Sequence, residues 1–331
     1  MLKTRDVKYR LIWLTVGVAL FLGLVWYGGT SDLSRVLEAD PIWLVGAFVS
    51  TVFITVFWAR RWGLLANKLS DSSAVSSWWY YHCLILSRAV SLFVPESVGA
   101  FGTGTLSLRF SQGVSMTIGL YSLMLDRLFD LLTAVTLAVP ALLFILEIWP
   151  AIPSYALYIS ILGLLWVILE VKHRTITIWL LKSYSWLIRV GAGIPVIGSR
   201  FQPLEIHEEE LGSSLTAQDV RKLYFSNLGK LLFVVLRWYS LAMAFHLPVS
   251  FAWILFGLPI VQISRVFSVT PGSLGVLEAG WYAVLSLGGI DGPLIIAFLI
   301  GQRVFISTFV LILAVITQLV AVFWPSRLAP Q

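Results

Sequence analysis

The segments Val94-Pro95-Glu96-Ser97-Val98-Gly99 and Thr270-Pro271-Gly272-Ser273-Leu274-Gly275 each break an apolar run with proline and glycine, and they lie 176 residues apart. The first ends the stretch 74–94, and a short, polar, glycine-rich return limb follows it to Ser115. The second ends the stretch 251–269, and its return limb stops by Gly288-Gly289. Neither return limb is long enough to cross a bilayer comfortably. Backbone broken at membrane depth survives only where protein or a water-lined cavity satisfies its polar groups. Both regions are therefore expected to be re-entrant hairpins, with Pro95, Gly99, Pro271, Gly272 and Gly275 as the breakers.

The same shift aligns much more than the breakers. It places Arg61-Trp62 on Arg237-Trp238, Pro95 on Pro271, Gly99 on Gly275, Gly104 on Gly280 and Arg127 on Arg303. One residue of slip before the prolines adds Ser87-Arg88 on Ser264-Arg265. Leucine and phenylalanine matches are cheap in so apolar a chain; three arginines, a proline and several glycines in register indicate duplication.

Composition fixes the setting. The 331 residues are 58% hydrophobic and 12% charged, against about 45–50% and about 25% in soluble domains, which leaves too little polar surface to cover a soluble body. An all-α polytopic membrane protein is expected, as one membrane domain over 1–331. Six full spans are read at about 11–27, 42–64, 116–146, 154–170, 230–246 and 293–323, with the two hairpins between them. The first repeat half covers 11–146, the second 154–324, and 171–229 is a cytoplasmic connector. Within that connector, 176–190 reads as an interfacial amphipathic helix and 204–219 as an acidic linker.

Lys and Arg concentrate in the N-terminal arm, at Arg60, Arg61 and Lys68, and between Lys172 and Lys222; the turns at 28–41, 147–153, 246–251 and 288–292 hold only Arg35. The positive-inside rule then puts both termini in the cytoplasm of a multi-pass protein of the inner membrane. On this orientation the hairpins open to opposite sides, so the repeats are inverted, an arrangement found in transporters. The net charge of +6 belongs to this bias and does not call for nucleic acid. A single cysteine, Cys83, and four scattered histidines offer no disulfide and no metal site, and no cofactor motif is present. Gly102-x-Gly104 lacks the Gly-Lys-Ser/Thr of a nucleotide loop.

Each repeat keeps three arginines where a charge in the bilayer centre costs about 2.5–3.5 kcal/mol. Arg61, near the end of its expected span, is read as snorkelling to the interface. Arg88 and Arg265 lie too deep for that. They either bind a phosphate or pair with Glu96, Asp126 or Glu278. Arg127 has Asp130 available at i+3. In the second repeat the acids of the first become Gln302 and Ile306, which leaves Glu278 as the candidate partner of Arg303. An excess of arginine around a few carboxylates favours an anion, and a lipid phosphate is the anion native to this depth.

The Ser87-Arg88 to Pro95 segment, Asp126-Arg127 with Asp130, and Pro271-Gly272-Ser273-Leu274-Gly275-Val276-Leu277-Glu278 resemble the transmembrane region of lysylphosphatidylglycerol synthases, which also occurs alone in flippase-like membrane proteins. The resemblance covers about residues 10–324. It implies a lipid-translocating module and marks Arg88, Asp126, Arg127, Asp130, Arg265, Glu278 and Arg303 as candidate functional positions. The aminoacyl-transferase domain of the full synthases would follow residue 324, so no lysyl-lipid synthesis is expected. The sequence-level reading is a flippase-like transporter, not an enzyme, that moves or presents an anionic or aminoacylated phospholipid or a polyprenyl-phosphate lipid. In it, Arg88, Arg265, Arg127 and Arg303 bind the headgroup and Asp126, Asp130 and Glu278 act as charge partners. The alternatives are a membrane enzyme or subunit acting on polyprenyl-phosphate-linked sugars, and a scaffold for a separately encoded lipid-modifying enzyme or glycosyltransferase.

Overall fold

The computed structural model describes residues 38–70, 75–94, 99, 103–112, 114–192, 215–266 and 273–323. These residues form helices and their connections: α1 (Pro41–Leu69), α2 (Ser77–Ser91), α3 (Thr103–Gln112), α4 (Met116–Ile145), α5 (Ala151–Ala192), α6 (Ala217–Ala244), α7 (Phe251–Val266), α8 (Val276–Leu287) and α9 (Gly292–Phe323). The chain is an all-α polytopic membrane protein. Among the described residues, four helical stretches are long and apolar enough to span: Pro41–Leu69, Ile118–Ile145, Ala151–Thr175 and Gly292–Ala321. Their outward faces carry the residues a bilayer solvates, such as Ile152, Ile159, Val315 and Leu319, all more than half exposed. The span expected at 11–27 lies outside the described residues.

Local chemistry sets the helix starts. Asp40 accepts from the Ile42 N–H at 2.8 Å and Pro41 occupies the first turn, where its missing donor costs nothing. Ser76 and Ser115 cap α2 and α4 in the same way. Thr216 and Asp219 close a reciprocal capping box at the start of α6. That box begins α6 thirteen residues ahead of the expected span at 230, and α5 runs on to Ala192 past one non-helical residue, Lys172. The described parts of 171–229 are therefore largely helix, and Asp219 belongs to a helix cap rather than to a polar linker.

The duplication is visible in the helices themselves. α1 begins at Pro41 and α6 at Ala217; α4 begins at Met116 and α9 at Gly292, both pairs offset by 176 residues. The first helices of the two repeats pack along their whole length and run in opposite directions. Asp40 N–H donates to the Ala244 carbonyl at one end, Trp43 meets Tyr239, Phe53 stacks on Phe233, and Lys68 reaches Asp219 at the other end. Two further contacts are exchanged between the halves: α4 packs on α7, and its counterpart α9 packs on α2. Equivalent helices that run antiparallel and swap partners define inverted repeats.

The limbs between the long helices are short. α2 and α3 span about 22 and 15 Å, and α7 and α8 about 24 and 18 Å, at 1.5 Å per residue. Each falls below the roughly 30 Å of a hydrocarbon core. Pro95, Pro271 and Gly272 lie outside the described residues. Gly99 sits against Ser91, where a Cβ would collide with the serine hydroxyl. Gly275 has φ +82°, a left-handed conformation that suits glycine, and there the chain turns into α8.

Candidate functional site

Arg61 is the centre of the first repeat's charge cluster. α1 continues to Leu69, two turns beyond it, so the side chain cannot reach an interface; it is 1% exposed. This corrects the expectation that Arg61 snorkels. Its Nε meets Asp126 Oδ1 at 2.5 Å, Nη2 donates to the Asp126 carbonyl at 3.2 Å, and Nη1 meets Asp130 Oδ1 at 2.7 Å. Nη1 also donates to Asn227 Oδ1 on α6. Trp58 Nε1 takes the second Asp126 oxygen at 2.7 Å. Asn227 in turn donates to Thr133 Oγ1 at 2.7 Å. A fully buried carboxylate and guanidinium thus satisfy one another and every neighbouring donor, the condition under which buried ions are tolerated.

Asp130 is shared. Besides Arg61 it holds Lys230 Nζ at 2.5 Å, and Lys230 lies over the Trp58 ring at 4.8 Å. Asp130 thus holds cations from two other helices. Arg127 lies over the Trp58 ring, 4.9 Å from its centroid. Asn227 and Lys230 escaped the sequence reading because they fall in the stretch taken as connector and span edge. Their spacing of three on one helix, both polar just before an apolar run, was the available signal.

The second repeat is built differently. Arg237, the counterpart of Arg61, is 7% exposed, and its Nε has no hydrogen-bond partner among the described residues. It stands within electrostatic range of both Arg88 and Arg265. Arg88 donates to Thr55 Oγ1 at 3.2 Å, and Arg265 to Gln262 Oε1 at 3.4 Å. Arg303 reaches Glu278 at 3.0 Å, and the other Glu278 oxygen accepts from the Gly275 N–H at 2.7 Å, tying this carboxylate to the start of α8. Arg237 on α6 therefore lies near arginines of both α2 and α7, while Arg127 stands by Trp58 in the first repeat's cluster.

Residues 14–315 match the family described as the lysylphosphatidylglycerol synthase TM region. The chain belongs to that family. A UPF0104 membrane protein of Methanothermobacter thermautotrophicus is 24% identical over 320 residues, covering 89% of this chain and 88% of the relative. No solved structure matches.

Proposed function

We propose that this family member moves or presents a membrane lipid that carries a phosphate headgroup. One observation supports the reading: the buried Arg237 stands within electrostatic range of both Arg88 and Arg265, which brings arginines of the two repeats near each other. Like charges so placed repel, and together they raise the attraction of the site for an incoming anion. Guanidinium groups match phosphate oxygens two at a time. The headgroup would enter between the repeats against Arg88 and Arg265 while the acyl chains stay in lipid, and rocking of the inverted halves would open the site to alternate faces. Arg303, held by Glu278, would set the far wall. A separately encoded lipid-modifying enzyme is the natural source of a specialised headgroup, and the reading places no chemical step on this chain. It assigns the protein to the inner membrane with its basic end in the cytoplasm.

The test is translocation of fluorescent phosphatidylglycerol in liposomes carrying the purified chain. Wild type should move lipid faster than protein-free vesicles, and Arg88→Gln and Arg265→Gln should each slow it at least tenfold while keeping wild-type expression. Full transport in both variants would refute the assignment.

A further inference from the structure

The two repeats place one arginine at equivalent positions and surround it with opposite chemistry. Beside Arg61 stand Asp126, Asp130, Asn227 and Lys230. The repeat relation puts Gln302 where Asp126 is, Ile306 where Asp130 is, Thr51 where Asn227 is and Ile54 where Lys230 is. Thr51 spends its hydroxyl on the Ala47 carbonyl of its own helix, at 2.8 Å. No carboxylate takes the place of Asp126 or Asp130.

The buried carboxylate of this region, Glu278, is engaged by Arg303 and by the Gly275 N–H, and the helices around Arg237 carry two further buried donors. Gln302 is 1% exposed, and its Nε2 has no hydrogen-bond partner among the described residues. Trp281, fully buried, leaves its Nε1 in the same condition. Contacts of Trp238 link the three helices that carry them. Arg237 lies 5.7 Å from the Trp238 ring centroid, Trp238 packs on Trp281 at 4.7 Å, and it packs on Phe298, one turn before Gln302, at 6.2 Å. Buried donors of this kind normally have acceptors. A guanidinium keeps its charge at any accessible pH, so burial cannot neutralise it by deprotonation. Three buried donors, one of them permanently cationic, need an acceptor that carries negative charge.

We infer that Arg237, Gln302 and Trp281 form an oxyanion site for a phosphate group, in which the ligand takes the part beside Arg237 that the Asp126 carboxylate plays beside Arg61. The first repeat carries its own anion in its sequence; the second takes one from outside. Arg88 and Arg265, half-buried, guard the approach, and Arg237 is the floor. The site deepens the phosphate reading above and rests on it for the class of ligand. It makes Arg237 and Gln302 binding residues alongside the arginines nearer the surface.

The symmetry supplies the test. Gln302→Asp gives the second repeat the carboxylate of the first. In neutral detergent, with inorganic phosphate and water-soluble dihexanoylphosphatidylglycerol as separate probes, the thermal midpoint of wild type should rise with at least one of them. Gln302→Asp should raise the midpoint without any probe and weaken probe affinity at least tenfold. Response to phosphate itself identifies a free-anion site; response to the short-chain lipid alone identifies a headgroup site. Wild type that responds to neither probe, or Gln302→Asp that binds as tightly as wild type, overturns the inference. Should Gln302→Asp fail to fold, Arg237→Gln decides: a tenfold loss of affinity supports the site, and unchanged affinity defeats it. Binding without lipid movement in liposomes would leave this site standing and remove only the transport reading.

Discussion

Phe57 and Phe233, equivalent residues of the two repeats, stack on each other with ring centroids 5.9 Å apart and planes 25° from parallel. A residue that touches its own counterpart marks the pseudo-two-fold axis, which therefore crosses the α1–α6 pair at this level. Phe53 adds a closer stack on Phe233, at 4.6 Å. The symmetric copy of that contact would set residue 229 on Phe57, and residue 229 is a glycine whose added Cβ would come within 2.5 Å of the Phe57 ring. Symmetry is broken at the axis because the Phe53–Phe233 stack has only Gly229 against Phe57 as its counterpart.

Gly229→Ala should accordingly destabilise the protein by about 1–3 kcal/mol, the usual cost of overpacking a close contact. Thermal unfolding in detergent checks this, and Phe57→Leu in the same chain should recover most of the loss by freeing the space. An unchanged midpoint for the single variant would mean that the axis packing is loose.

Asp126→Asn should be more severe. It leaves Arg61 buried with half its charge partners gone, and breaking one side of a buried pair costs about 3–5 kcal/mol. Low expression and a strongly lowered midpoint are expected. Arg61→Met combined with Asp126→Leu should restore much of the stability, since a matched apolar replacement strands no charge. If the double variant is no better than Asp126→Asn alone, the cluster serves some purpose other than mutual neutralisation.

The duplication and the short limbs could be read from the sequence because they depend on residue types that tolerate few substitutions. Prolines and glycines at Pro95, Gly99, Pro271 and Gly275 mark broken helices wherever they fall in an apolar run. The helix starts at Pro41 and Ala217 share the offset that Arg61 and Arg237 suggest. Hydropathy alone ends the span near residue 64 and puts Arg61 at its edge, whereas α1 continues to Leu69 and keeps that arginine two turns inside. Its partners lie 65, 69 and 166 positions away, and no local pattern joins them. Arg237 is legible in the sequence as the repeat of Arg61, but nothing around it in the sequence marks a site. What distinguishes it is the exchange of Asp126 for Gln302, which gains meaning only once Asp126 is seen to hold Arg61.

The α6 cap offers a pH-dependent test. Burial of Asp219 raises its carboxyl, but the hydrogen bonds from Thr216 and the nearby Lys68 outweigh this and hold it below the ordinary carboxylate range. Asp219 lies at the helix start, ahead of the apolar part of α6. A depressed folded-state value means the contribution is complete above the ordinary value of about 4 and is lost as pH falls below it. Thr216→Ala should lower stability by about 1 kcal/mol at neutral pH, and the midpoints of wild type and Asp219→Asn should begin to converge only as pH falls below about 4. A gap that does not narrow at all as pH is lowered from about 4 to about 2 would show that the Asp219 charge is not what stabilises the cap.

The orientation can be settled by labelling. In three dimensions the two ends of the bundle differ in charge. Lys68, Glu170 bridged to Arg221, Lys172, Arg174 and Lys222 lie toward one end, whereas Glu38, Asp40 and Glu147 lie toward the other, where the Asp40 N–H is bonded to the Ala244 carbonyl. The end rich in lysine and arginine should face the cytoplasm. Cys83 is buried, and Cys83→Ser gives a background with nothing to label. On it, Glu38→Cys, exposed at the acidic end, should react in intact cells with a maleimide that cannot cross membranes. Lys222→Cys and Arg174→Cys, exposed at the basic end, should react only after the cells are opened. The opposite pattern would place the basic end outside and reverse the direction assigned to the site, while leaving the inverted relation of the repeats intact. Reaction of all three in intact cells would contradict the spans themselves, because α5 and α6 would then no longer separate the two ends.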